Sequence, residues 1–125
     1  MASVLIVEDS EYQRRVLVKM VHAEGYETLE SGDGLDGLKM ILERKPDCIL
    51  LDILLPGSDG LSLLRVLKAR EIQIPTIIVT ADIQESTYKE CMELGAFAVT
   101  HKPPKPALIK ELLRKAIESN VEDCS

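Results

Sequence analysis

A chain of 125 residues has room for one domain, large enough to bury about two-thirds of its unfolded surface without staples. Hydrophobic content of 46%, charged content of 29% and a formal net charge of −6 suit a globular fold and disfavour non-specific attraction to nucleic acid or anionic lipid. No apolar run approaches the ~20 residues that span a membrane, and the N-terminus lacks the basic segment and cleavage site of a signal peptide; a cytoplasmic location is expected.

The apolar run Val4-Leu5-Ile6-Val7 reads as a first strand and ends in Glu8-Asp9. Ser10 with Gln13 three residues later reads as a capping box. It opens a helix carrying Tyr12, Val16, Leu17, Met20 and Val21 at helical spacing, which Gly25 ends. Residues 26–30 alternate in polarity and suit an edge strand. Asp33 or Gly34 opens a second helix with Leu35, Leu38, Ile41 and Leu42 inward, and Pro46 closes the connection. The run Cys48-Ile49-Leu50-Leu51 is a third strand, ending in Asp52.

Turn chemistry follows in Leu55-Pro56-Gly57-Ser58-Asp59-Gly60, then a helix with Leu61, Leu64 and Leu67 inward. Pro75 leads into a fourth strand, Thr76-Ile77-Ile78-Val79, followed by Thr80-Ala81. The next helix, about 83–94, has a thin stripe of Tyr88, Cys91 and Met92, capped by Gly95. A weak fifth strand, 97–100, precedes Lys102-Pro103. A last helix spans about 105–119, with Leu108, Ile109, Leu112, Leu113, Ala116 and Ile117 on its apolar face. The domain core is expected over 3–119, with 120–125 a frayed tail. Cys48, Cys91 and Cys124 are odd in number and lack zinc or CxxC spacing, consistent with reduced thiols.

Five βα units with continuous apolar internal strands specify an α/β fold, a doubly wound parallel sheet with helices on both faces. In such sheets ligands bind beyond the carboxyl ends of the strands. If these strands share one sheet, Glu8, Asp9, Asp52, Thr80 and Lys102 emerge at that edge. Two unit charges ~4 Å apart repel by about 4 kcal/mol at an effective dielectric of 20, so clustered carboxylates call for a hard divalent cation, and Mg²⁺ takes such oxygen ligands. Asp52 can serve as ligand or as a nucleophile that forms an aspartyl phosphate. That reaction needs its charge neutralised by metal, ammonium and backbone N–H groups. Lys102 offers the ammonium, Thr80 a hydroxyl and Ala81 an accessible N–H.

Val4 to Asp9, Asp52 with Pro56-Gly57 and Asp59-Gly60 beyond it, Thr80-Ala81 and Lys102-Pro103 together resemble the receiver domain of two-component response regulators, including single-domain chemotaxis-type receivers. The resemblance covers essentially the whole chain, residues 1–125. It implies a flavodoxin-like (βα)5 fold with strand order 2-1-3-4-5. It further implies phosphoryl transfer to Asp52 from a phosphohistidine on a sensor histidine kinase or phosphotransfer protein. Asp9 and Asp52 would hold Mg²⁺ directly, Glu8 through water, and the Leu54 backbone carbonyl would be a further ligand. Lys102 and Thr80 would bond the phosphoryl oxygens, and the Lys102–Pro103 peptide would be cis. The family's usual aromatic switch position is Val99 here, with Phe97 two residues earlier and expected on the same face. Leu54, two past the acceptor, is expected to shield the phosphoryl group, and two past Thr80 stands the acidic Asp82.

The leading expectation is a stand-alone phosphorylation switch that catalyses its own phosphorylation and dephosphorylation rather than a turnover enzyme. Its output partner, or a phosphatase, would meet the face of the fourth helix, fifth strand and fifth helix, where Glu85, Tyr88, Lys89, Glu93, Lys105 and Lys110 lie. A haloacid-dehalogenase-type phosphohydrolase needs a second acid at the position of Leu54. A pseudo-receiver would lack one of the reactive residues. A fragment of a longer regulator stays open, while nucleic-acid and membrane partners are disfavoured by charge and composition.

Overall fold

The computed structural model describes residues 1–55 and 60–123. Ten elements alternate in chain order: β1 (Ser3–Val7), α1 (Glu11–Ala23), β2 (Glu27–Ser31), α2 (Gly34–Arg44), β3 (Cys48–Leu51), α3 (Gly60–Ala69), β4 (Thr76–Thr80), α4 (Glu85–Glu93), β5 (Ala98–His101) and α5 (Pro106–Asp123). The five strands form one parallel sheet in the order β2-β1-β3-β4-β5. This is the doubly wound, flavodoxin-like arrangement expected from the alternating signals.

Each internal strand is apolar along its length because both faces are covered. Leu5 and Val7 of β1, Ile49 and Leu51 of β3 and Ile78 of β4 pack with α2, α3 and α4 through Ile41, Leu63, Leu64, Leu67 and Cys91. The alternate residues Val4, Ile6, Leu50, Ile77 and Val79 pack with α1 and α5 through Leu17, Val21, Ile109, Leu113 and Ala116. Each such aliphatic side chain contributes about 1.5–3 kcal/mol by leaving water. Two helices thus cover one face and three the other.

Register positions the chemistry. Val7 pairs with Leu51, so the next residues, Glu8 and Asp52, leave the sheet side by side. This is the switch point where the strand order reverses, since β2 lies on one side of β1 and β3 on the other. Across the sheet Thr80 pairs with His101, and the Lys102 N–H donates to the Thr80 carbonyl at 2.9 Å.

Several expectations are corrected. Tyr12, Leu35, Leu42, Met92 and Leu108 are exposed rather than inward, and Tyr88 is half exposed. Each helix covers one sheet face, so the buried stripe is narrower than the apolar pattern. Backbone fills part of α2's inner face: Gly34 and Gly37 are buried there, and a Cβ on Gly37 would lie 3.2 Å from Val7 Cγ2. Phe97 and Val99 do not share a face. Phe97 packs on the α1/α5 side and Val99 on the other, because Phe97 lies in a bend before β5 begins and strand alternation does not extend to it.

The capping box is half made. Ser10 Oγ accepts from the Gln13 N–H at 3.3 Å, but the Ser10 N–H donates to Glu8 Oε2 at 3.0 Å. Helix α5 continues to Asp123, past the end near residue 119 expected for it. Pro56, Gly57, Ser58 and Asp59 of the expected turn, and Cys124 of the tail, lie outside the described residues.

Candidate functional site

Glu8, Asp9 and Asp52 each present a carboxylate oxygen within 4.8 Å of the others. Glu8 and Asp52 are buried, at 1% and 5% exposure, while Asp9 faces solvent. The main chain fixes them firmly. The Asp52 N–H donates to the Val7 carbonyl at 3.1 Å and the Glu8 N–H to the Ser31 carbonyl at 3.0 Å, continuing the ladder past the strand ends. The Glu8 carbonyl accepts from Arg14 at 2.8 Å. Asp52 Oδ1 accepts from the Leu54 N–H at 3.0 Å.

Lys102 reaches in from the end of β5. Its ammonium donates to Glu8 Oε1 at 2.6 Å, to Asp52 Oδ2 at 2.9 Å and to Gln13 Oε1. A lysine has three N–H donors, and all three are used. The Gln13 carbonyl was not foreseen as a partner. Its place one turn into α1, close to the Glu8-Asp9 end of β1, was the available signal. The Lys102–Pro103 peptide is cis, as expected.

Burial pushes the Glu8 carboxyl above its usual value, partly offset by its bond from Lys102. Burial works to lower the Lys102 pKa, but the bonds to Glu8 and Asp52 outweigh it and hold the ammonium above its ordinary value. One ammonium among three carboxylates leaves the cluster negative. An all-oxygen donor set with residual negative charge fits a hard cation such as Mg²⁺.

Thr80 is fully buried at the end of β4, and its Oγ1 accepts from the Asp82 N–H at 3.1 Å. Ala81 is exposed beside Lys102, Pro103 and Pro104 and shares with them and α1 a cavity of about 490 Å³. Leu54, two residues past Asp52, is 57% exposed. Val99 is partly buried against the core. The edge therefore gathers Glu8, Asp9, Asp52, Thr80, Ala81 and Lys102, each at the end of the strand expected to carry it.

Residues 4–114 match the response regulator receiver domain family. The chain belongs to the response regulator receiver family. Among curated relatives, this receiver domain is 34% identical over 112 residues to sporulation initiation phosphotransferase F of Bacillus subtilis, covering 90% of each chain. It is 37% identical over 119 residues to the phosphate regulon transcriptional regulatory protein PhoB of Pseudomonas aeruginosa, covering 90% of this chain and 52% of that one. The chain thus spans about half the length of that relative, and likewise 52% of the DNA-binding response regulator MtrA of Mycolicibacterium smegmatis. Among solved structures, the BeF3-activated N-terminal receiver domain of Klebsiella pneumoniae RstA superposes with a TM-score of 0.86 at 27% identity, covering 92% of this chain and 97% of that one. The receiver domain of NtrX from Brucella abortus gives 0.85 at 29%, covering 92% and 98%. Receiver domains serve two-component signalling, and the described part of this one has no helix long and apolar enough to cross a membrane.

Proposed function

We propose that this receiver domain is a phosphorylation-dependent signalling switch whose acceptor is Asp52. The observation that carries the reading is the buried Asp52 carboxylate, ion-paired with Lys102 beside Glu8 and Asp9 at one sheet edge. An Asp52 oxygen attacks phosphorus, the P–N bond of a phosphohistidine breaks, and the imidazole leaves with the electron pair and takes a proton. The Lys102 ammonium stays within reach of the transferred group and offsets its charge. The Leu54 N–H on Oδ1 orients the carboxylate, and the Thr80 hydroxyl and Ala81 N–H lie across the edge to receive phosphoryl oxygens. Asp9 and Asp52, with Glu8 through water and the Leu54 carbonyl, would hold Mg²⁺. When bound, the ion supplies charge neutralisation for the donor's phosphoryl oxygens.

The donor is a sensor histidine kinase or phosphotransfer protein. The output surface is the α4–β5–α5 face, with a separate partner or a phosphatase docking there. The chain is a phosphoacceptor that assists its own phosphorylation and dephosphorylation, not a turnover enzyme. Phosphorylation shifts an equilibrium between two conformations.

Intact mass after incubation with acetyl phosphate, with and without Mg²⁺, tests this. Wild type gains one Mg²⁺-dependent phosphoryl group and Asp52→Asn gains none; unmodified wild type, with Mg²⁺ present, sinks the reading. The same assay followed over time checks Leu54. Its exposed side chain on the loop beside Asp52 is expected to exclude water, so Leu54→Asn loses phosphate about tenfold faster, equivalent to ~1.4 kcal/mol of barrier. An unchanged decay rate removes that role.

A further inference from the structure

Helix α4 begins without a cap from its own N-cap residue, because Gln84 makes no side-chain cap bond. Asp82 supplies the acceptors instead. Its Oδ1 accepts from the Gln84 N–H at 2.9 Å, and its Oδ2 accepts from the Thr87 hydroxyl at 2.7 Å. These two bonds hold the Asp82 carboxyl below its ordinary value, with a smaller contribution from nearby His101. The backbone N–H of the same residue donates to Thr80 Oγ1. One residue therefore joins the buried hydroxyl at the site to the first turn of α4.

The second half of α4 is tied down elsewhere. Cys91 is fully buried, Glu90 pairs with Arg65 of α3, and the Glu93 carbonyl accepts from Lys68 of α3 at 2.8 Å. Val99 has no ring whose rotation could follow Thr80. The helix is thus anchored at one end and linked to the site at the other.

We propose that Asp82 is the positioning residue that couples Thr80 to helix α4. When the Thr80 hydroxyl turns to a phosphoryl oxygen on Asp52, the Asp82 N–H loses its acceptor. The loop then shifts, and through its bonds to Gln84 and Thr87 it carries the first turn of α4, pivoting about the anchored second half. This rests on the phosphoacceptor reading of Asp52, and the experiment separates the two.

Backbone amide NMR spectra of the full chain would be recorded with Mg²⁺ alone and with Mg²⁺ plus beryllofluoride, a phosphoryl mimic. Wild type, Asp82→Ala, Thr87→Val and Thr87→Ser would be compared. In wild type the amides of Leu54 and Ala81 shift, and so do those of Glu85 to Tyr88. In Thr87→Val the Leu54 and Ala81 shifts persist while those of the first α4 turn fall to less than half, and Thr87→Ser restores them. Full-size α4 shifts in both Thr87→Val and Asp82→Ala overturn the coupling. So does loss of the Leu54 and Ala81 shifts in Thr87→Val, which would make the residue part of site assembly. If Leu54 and Ala81 do not move in wild type, the phosphoacceptor reading fails and the coupling falls with it.

Discussion

On the β1–β3 side of the carboxyl edge the acids are held by the core itself, whereas on the β4–β5 side the polar groups are held by one another. Glu8 and Asp52 each follow a strand with no exposed residue in its last four positions, and each has its N–H in the sheet ladder. Asp82, Gln84 and Thr87 sit in or next to a partly exposed loop and are joined by side-chain bonds. A parallel ladder with both faces packed opens only with global unfolding, while a partly exposed loop held by a few side-chain hydrogen bonds opens at far lower cost. A switch needs both: a fixed place for the charge and a movable element to report it.

The largest expected effect tests how tightly the fixed half is built. Gly60 donates its N–H to the Ile53 carbonyl at 2.8 Å, and a Cβ there would lie 2.5 Å from the Asp52 carbonyl oxygen and 2.8 Å from Ile53 Cα. Both obstacles are backbone and cannot rotate away. Gly60→Ala is expected to cost about 3 kcal/mol, the upper range of overpacking, read from urea unfolding. Gly25 is the contrast: its φ is +84° and nothing lies near its Cβ position, so Gly25→Ala carries only conformational strain of about 1 kcal/mol. Equal losses at the two positions would break the claim that the backbone at Asp52 and Ile53 is sterically fixed.

Of similar size is removal of a side chain that reaches from the movable side to the fixed one. Lys102→Met leaves Glu8 and Asp52 buried without their ammonium, and breaking such a pair costs about 3 kcal/mol at neutral pH. Glu8 already has a raised pKa through burial. Stability tied to its protonation is fully present below its usual value of 4.5 and is lost as pH rises through the higher folded value. Losing the Lys102 bond raises that folded value further and extends the loss. The deficit of the variant therefore shrinks toward pH 5 and grows toward pH 7.5. A deficit independent of pH would mean that Lys102 acts through packing rather than charge.

The fixed half was also the more legible one. Apolar runs ending in acids located β1 and β3 and put Glu8 and Asp52 at one edge, because burial on both faces leaves a strand little choice of residue. Strand ends moved by at most about one residue, as with β5, which begins at Ala98 rather than Phe97, while helix ends moved further, with α4 beginning at Glu85 and α5 running on to Asp123. The movable half was harder to read. That Asp82 ties Thr80 to Thr87 depends on loop dihedrals, which no periodicity encodes. The use of Gln13 by Lys102, 89 positions away in sequence, depends on tertiary register. A lone threonine or lysine has many ordinary uses, so the roles of Thr80 and Lys102 rested on their shared strand edge and were completed by the resemblance.

The smallest effect compares the halves by their own thiols. Cys48 in β3 is fully buried, with its pKa pushed up to about 12 by burial, and Cys91 in α4 is fully buried with its pKa also raised by burial. Neither is a thiolate at pH 8, so each reacts with an alkylating reagent only when its element opens. Opening of α4 breaks its ties to Arg65, Lys68 and Asp82, whereas exposing Cys48 requires parting a central strand from two neighbours. Cys91 is therefore expected to label about tenfold faster than Cys48, a difference of ~1.4 kcal/mol in opening free energy, followed by mass spectrometry of the digested protein. Thr87→Val should widen that ratio by loosening the start of α4 and leave Cys48 unchanged. Equal rates at the two thiols would mean that α4 opens only with the whole domain, and the division into a fixed and a movable half would not stand.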